Sequence, residues 1–122
     1  MVGIVVVSHS KLLADGVVDL VRMTSKKVKI KAAGGLENGE YGASYDLINK
    51  AIDEVYSDDG VILLVDLGSS IMTSEMIIEE RNNEKIILSK AGLVEGAFAA
   101  SIYAENNMSL NEIVETIEKE KK

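Results

Sequence analysis

His9 is the sole histidine of the 122-residue chain, and it stands where the apolar run Gly3-Ile4-Val5-Val6-Val7 gives way to Ser8-His9-Ser10-Lys11. A second apolar run, Val61-Ile62-Leu63-Leu64-Val65, stops in the same way at Asp66, with Gly68, Ser69 and Ser70 just beyond. If the two runs are neighbouring parallel strands, their carboxyl ends lie about 5 Å apart and the carboxylate of Asp66 orients the imidazole of His9. An imidazole fixed in this way is a nucleophile suited to phosphoryl transfer. Ser8, Ser10 and Ser70 add hydroxyls able to bind a phosphate, and the helix after His9 directs its unpaired amides and positive dipole end at the same crevice. A lone histidine at a strand end is more commonly an ordinary hydrogen-bonded residue, and an aspartate there is more commonly a helix cap. What points to chemistry is their joint placement.

The elements that must position this pair follow from periodicity. Short β-branched runs alternate with helical patterns, which is the signature of βαβ units. The first strand is expected over residues 2–7, followed by an amphipathic helix from Lys11 to Thr24 with Leu13, Val17, Leu20 and Val21 as its apolar stripe. Val28 to Ala32, where Lys27, Lys29 and Lys31 alternate with apolar residues, reads as an edge strand. The glycine-rich stretch from Gly34 to Gly42 is a loop that fits neither the P-loop nor the dinucleotide fingerprint, and a helix follows from Tyr45 to about Tyr56.

The third strand ends at Val65 and, being continuously apolar, belongs in the sheet centre. Ser69 or Ser70 is expected to cap a helix through Glu80, in which Met72 and Met76 read as core filler, and Lys85 to Leu88 is a short fourth strand. The helix from Leu93 to Glu105 gathers Ala97, Ala100, Ser101 and Ala104 on one face, for close approach to the sheet or to a second subunit. Ser109 and Glu112 form a capping box for a last helix with Leu110, Ile113, Val114 and Ile117 as its stripe, ending in the solvated segment Glu118-Lys119-Glu120-Lys121-Lys122. The expected architecture is an α/β fold: one domain over residues 1–122, an open, mainly parallel four-stranded sheet of order 2-1-3-4 and helices on both faces. In that order the winding reverses between the first and third strands, which places His9 and Asp66 at the ligand crevice.

Composition limits the alternatives. The formal charge is −7, which opposes binding to nucleic-acid backbones or anionic membranes. With no cysteine there is neither a disulfide nor a thiolate zinc site. No run approaches a membrane span and the first strand lacks the flanks of a signal peptide, so a cytoplasmic domain without metal is expected. Lys11 and Lys90 are expected to be solvated lysines.

Four ordered blocks carry a resemblance over nearly the whole chain. They are Gly3 to Ser10, Gly35-Leu36-Glu37-Asn38-Gly39-Glu40 with Gly42 and Ser44, Val65-Asp66-Leu67-Gly68-Ser69-Ser70 with Met72 and Glu75, and Gly92-Leu93-Val94-Glu95-Gly96-Ala97. Together they resemble the phosphotransferase subunit of phosphoenolpyruvate-dependent dihydroxyacetone kinase, a branch of the mannose-class enzyme IIA superfamily. The resemblance implies that His9 receives phosphate from the phosphocarrier HPr, itself charged from phosphoenolpyruvate through enzyme I. His9 then passes the group to ADP on the nucleotide-binding kinase subunit, with no permanently bound cofactor. It also implies a homodimer, in which the small-residue helix or the C-terminal elements would meet the second copy.

Mannose-class transporters typically carry Thr-His-Gly at the histidine and a tryptophan after the aspartate. This chain has Ser8-His9-Ser10 and no tryptophan, and a single domain with no fused HPr or enzyme I portion is expected, with the phosphate then coming from separate carriers. A IIA carrier feeding a sugar permease is the nearest alternative. A receiver-like signalling domain would explain Asp66 and Ser89-Lys90 but needs acidic residues where Ser8-His9-Ser10 stands. A noncatalytic adaptor using the same crevice is the remaining rival.

Overall fold

The computed structural model describes residues 1–120. Among the described residues strands and helices alternate, with one extra helix at the end: β1 (Gly3–Ser8), α1 (Lys11–Arg22), β2 (Ile30–Gly34), α2 (Tyr45–Val55), β3 (Val61–Val65), α3 (Gly68–Arg81), β4 (Ile86–Leu88), α4 (Leu93–Glu105) and α5 (Leu110–Lys119). The strands form one parallel sheet in the order β2-β1-β3-β4, as the sequence predicts. Val7 lies opposite Val65 and Ser8 opposite Gly34, so β1 and β3 leave the sheet side by side.

The period of two along each strand divides the core into two layers. Val2, Ile4, Val6, Ile62 and Leu64 face α1, α4 and α5, where they meet Ala14, Val17, Val21, Ala97, Ala100, Ala104, Ile113 and Ile117. Val5, Val7, Val61, Leu63 and Ile86 face α2 and α3, against Ile48, Ile52, Val55 and Ile77. Both central strands are thereby covered on both sides, which is why they read as unbroken apolar runs.

Several local expectations are corrected by packing. In α1 the buried stripe is Ala14, Val17 and Val21, whereas Leu13 and Leu20 lie near the surface. The cause is close approach: a Cβ at Gly34 would stand 2.7 Å from the Ala14 methyl and 2.7 Å from the Ser10 carbonyl oxygen, leaving no room for a larger side chain on that face. The edge strand begins at Ile30 rather than Val28, because the amides of Lys27 and Val28 donate to the Glu105 carboxylate at 2.6 and 2.8 Å.

Helix α3 has Leu67 at its N-cap with no side-chain bond, so neither Ser69 nor Ser70 caps it. Its buried residues are Ser70, Ser74 and Ile77, and Met72 and Met76 are exposed by 70% and 47% rather than filling the core. The small-residue face of α4 is consumed within the protomer, where Gly96 approaches Leu64 so closely that a Cβ would lie 2.8 Å from its Cδ1. The Ser109–Glu112 capping box of α5 forms as expected, with Ile113 and Ile117 buried and Leu110 and Val114 at the margin; Lys121 and Lys122 lie outside the described residues. Among the described residues, no helix is long and apolar enough to cross a membrane.

Two glycine substitutions separate the packing requirement from helix propensity. Gly34→Ala should destabilise the protein by about 1–3 kcal/mol, since the new methyl meets backbone that must move. Gly16→Ala, with nothing within 4 Å of its Cβ position, should stabilise by about 0.5–1 kcal/mol. Urea unfolding of the two variants checks both signs.

Candidate functional site

Ser8 closes β1 and Asp66 is the first residue past β3, so adjacent parallel strands bring Asp66 against the Ser8-His9 turn. Asp66 Oδ2 accepts hydrogen bonds from the Ser8 hydroxyl at 2.8 Å and from the His9 backbone amide at 3.0 Å. Asp66 Oδ1 accepts from its neighbour's amide, Leu67, at 2.7 Å and lies 3.1 Å from His9 Nδ1. The carboxylate thus grips both the backbone and the ring of the histidine. The Asp66 side chain is 13% exposed and that of His9 27%, which leaves the imidazole accessible over a shielded anion.

Burial pushes the Asp66 carboxyl up, but donation from the Ser8 hydroxyl, the His9 amide, the Ser70 hydroxyl and the Leu67 amide outweighs it and holds the group down to about 2. At neutral pH Asp66 is therefore an anion and acceptor only, so its contact with Nδ1 puts a proton on that nitrogen and makes Nε2 the one that carries the lone pair in the neutral tautomer.

The serines expected to bind phosphate occupy different stations. The hydroxyl of Ser8 is buried, donates to Asp66 and accepts from the Ser10 amide at 3.0 Å. The hydroxyl of Ser10 caps α1 by accepting from the Leu13 amide at 3.2 Å. Ser70, also buried, lies 3.2 Å from Nδ1, on the carboxylate side of the ring. The hydroxyl at Nε2 belongs to Ser69, at 2.6 Å, a residue that sequence reasoning treated only as a helix cap.

The glycine loop also has a role that its sequence did not disclose. Gly35 donates its amide to the Ser8 carbonyl and Gly42 donates to the His9 carbonyl, both at 3.0 Å. Gly35 has φ +68°, and at Gly42 a Cβ would stand 2.9 Å from Leu36, so the clamp on the histidine backbone requires glycine at both points. Lys11 is paired with Asp15 at 2.6 Å one turn along α1, and the backbone amide of Lys90 donates to Glu118.

The depressed Asp66 carboxyl has a sign-definite consequence. With its native value near 2 and its usual value at 3.8, it contributes about 2 kcal/mol of stability above pH ~4, lost as pH falls through about 2. The stability gap between the wild type and Asp66→Asn should therefore narrow by about that amount between pH ~4 and ~2 in urea titrations. A gap independent of pH would contradict it.

Comparison with known proteins identifies the family to which the chain belongs. Residues 3–118 match the family model EIIA-man, described as PTS system fructose IIA component. The phosphotransferase subunit DhaM of a PTS-dependent dihydroxyacetone kinase from Lactococcus lactis subsp. lactis (strain IL1403) is 39% identical over 117 residues, covering 96% of this chain and 94% of that protein. The phosphoryl donor subunit DhaM of PEP-dependent dihydroxyacetone kinase 1 from Listeria innocua is 41% identical over 99 residues, covering 81% of this chain and 78% of the relative. The Escherichia coli (strain K12) DhaM is 32% identical across 93% of this chain, which spans only 26% of that longer protein. A crystal structure of EF1359, a protein of unknown function, matches with a TM-score of 0.85 and 30% identity over 97% of this chain and 93% of its own. From the His9–Asp66 pair at the head of a parallel sheet to these matches across nearly its whole length, the chain belongs to the PTS enzyme IIA family, alongside the DhaM subunits of dihydroxyacetone kinases.

Proposed function

We propose that this protein is the phosphoryl donor subunit of a dihydroxyacetone kinase, carrying phosphate on His9 from phospho-HPr to ADP on the nucleotide-binding kinase subunit. The phosphate originates in phosphoenolpyruvate and arrives through enzyme I, and the carrier itself needs no resident cofactor. The observation that carries this reading is the imidazole held through Nδ1 by an ionised Asp66, which leaves Nε2, at an exposed contact with the Ser69 hydroxyl, as the nitrogen able to react.

The chemistry balances without moving a proton. The donor's phosphohistidine carries a proton on its other ring nitrogen; the Nε2 lone pair of His9 attacks phosphorus, the donor's nitrogen–phosphorus bond breaks and the donor leaves as neutral imidazole. His9 keeps its Nδ1 proton and gains a positive ring charge, which the Asp66 anion stabilises. In the second half, a β-phosphate oxygen of ADP attacks the same phosphorus, ATP departs and His9 returns to neutral.

The DhaM names of the relatives favour this acceptor over a sugar permease. A receiver reading is disfavoured by Asp66 itself, whose oxygens are filled by Ser8, His9 and Leu67 and so are ill placed to accept a phosphoryl group. A homodimer in the cytoplasm is part of the same reading. Because α4 spends its small-residue face internally, the second copy would dock elsewhere, such as at one of the two edge strands, β2 or β4.

Incubation with phosphoenolpyruvate, enzyme I and HPr should place an acid-labile phosphate on His9, discharged by ADP only when the kinase subunit is added. His9→Ala should take no label while keeping its circular dichroism and melting behaviour. Asp66→Ala should slow transfer about ten- to hundredfold by releasing the ring from its geometry, without loss of carrier docking. Turnover unchanged in Asp66→Ala at saturating partners would remove Asp66 from the mechanism. Given the net charge of −7, carrier association should weaken as salt is added.

A further inference from the structure

Ser69 stands against the one atom that must react. With the Nδ1 proton committed to Asp66, Nε2 is an acceptor, so the Ser69 hydroxyl at 2.6 Å donates into the lone pair that would attack phosphorus. Phosphorus must arrive along that same direction, so the hydroxyl and the phosphoryl group exclude each other there. We propose that Ser69 is a catalytic residue of the transfer: its hydroxyl covers Nε2 in the resting protein, turns aside as the phosphoryl group arrives and then donates to a phosphoryl oxygen.

This rests on the reading of His9 as the phosphorylated residue. Three observations support it. Ser69 is exposed and its hydroxyl has no partner besides Nε2 among the described residues, so a rotamer change breaks nothing else. Ser8 and Ser10 are held in other hydrogen bonds, and Ser70 lies at Nδ1, which leaves Ser69 as the serine hydroxyl at the reacting nitrogen. Ser69 also lies in the first turn of α3, where the amides of Gly68 and Ser69 have no intrahelical acceptor and the space over Gly68 is open. A hydrogen bond to a dianionic phosphoryl oxygen is stronger than one to a neutral imidazole, so the exchange favours the transferring group over the resting state.

The test compares wild type, Ser69→Ala and Ser69→Thr, charged by phospho-HPr and, to bypass docking, by phosphoramidate. Ser69→Ala should lower the rate of phosphoryl acceptance about tenfold or more from both donors, leave KM for phospho-HPr unchanged and shift the nitrogen-15 resonance of resting Nε2 toward that of an unbonded acceptor. Ser69→Thr should restore most of the rate and the resonance. Acceptance by Ser69→Ala at the wild-type rate, or an unmoved Nε2 resonance, overturns the proposal while wild-type labelling leaves the broader reading standing. Wild-type protein that takes no label at His9 overturns the functional reading and the role of Ser69 with it.

Discussion

Both oxygens of the Asp66 carboxylate are engaged in holding His9, one on its backbone amide and one on its ring, and the rest of the site depends on that grip. The backbone bond fixes where the histidine leaves the sheet, and the ring bond fixes which nitrogen is left to react. Four donors keep the anion ionised despite its burial, so it serves as a fixed acceptor and a fixed negative charge at neutral pH. The arrangement exists only because β1 and β3 are neighbours with their ends in register.

Support for the grip comes from backbone more than from side chains. The loop after β2 donates two glycine amides to the carbonyls of Ser8 and His9, tying the histidine to the edge strand on the side opposite Asp66. Helix α1 then packs so near the end of β2 that only glycine fits at position 34, with alanine facing it at position 14. The same small-residue logic brings α4 onto β3 at Gly96. Rigid strands and closely approached helices thus hold the imidazole in the orientation that Asp66 sets and leave the Ser69 hydroxyl, with its single partner among the described residues, as the part able to turn.

The sheet order, the placement of the central strands and the meeting of His9 with Asp66 were legible because they follow from continuous apolar runs that stop at polar residues. That signal is carried by backbone topology and does not depend on rotamers. The exposed positions of Leu13, Leu20, Met72 and Met76 were not legible, because which flank of an amphipathic helix is buried depends on how close the neighbouring strand comes. Ser69 and Ser70 are chemically alike in sequence, and only the first-turn geometry of α3 sends one hydroxyl to Nε2 and the other to the carboxylate side. The role of Gly42 was hidden for a related reason, since its amide acts on a carbonyl far away in sequence.

If Asp66 dictates the reactive nitrogen, the site of the phosphorus on the ring is the direct readout. The protein labelled with nitrogen-15 at histidine and charged by phospho-HPr should show phosphorus coupled to Nε2, with Nδ1 still protonated and bonded to Asp66. Phosphorus coupled to Nδ1 would contradict the account, because that nitrogen can react only if the bond to Asp66 does not exist in the working protein.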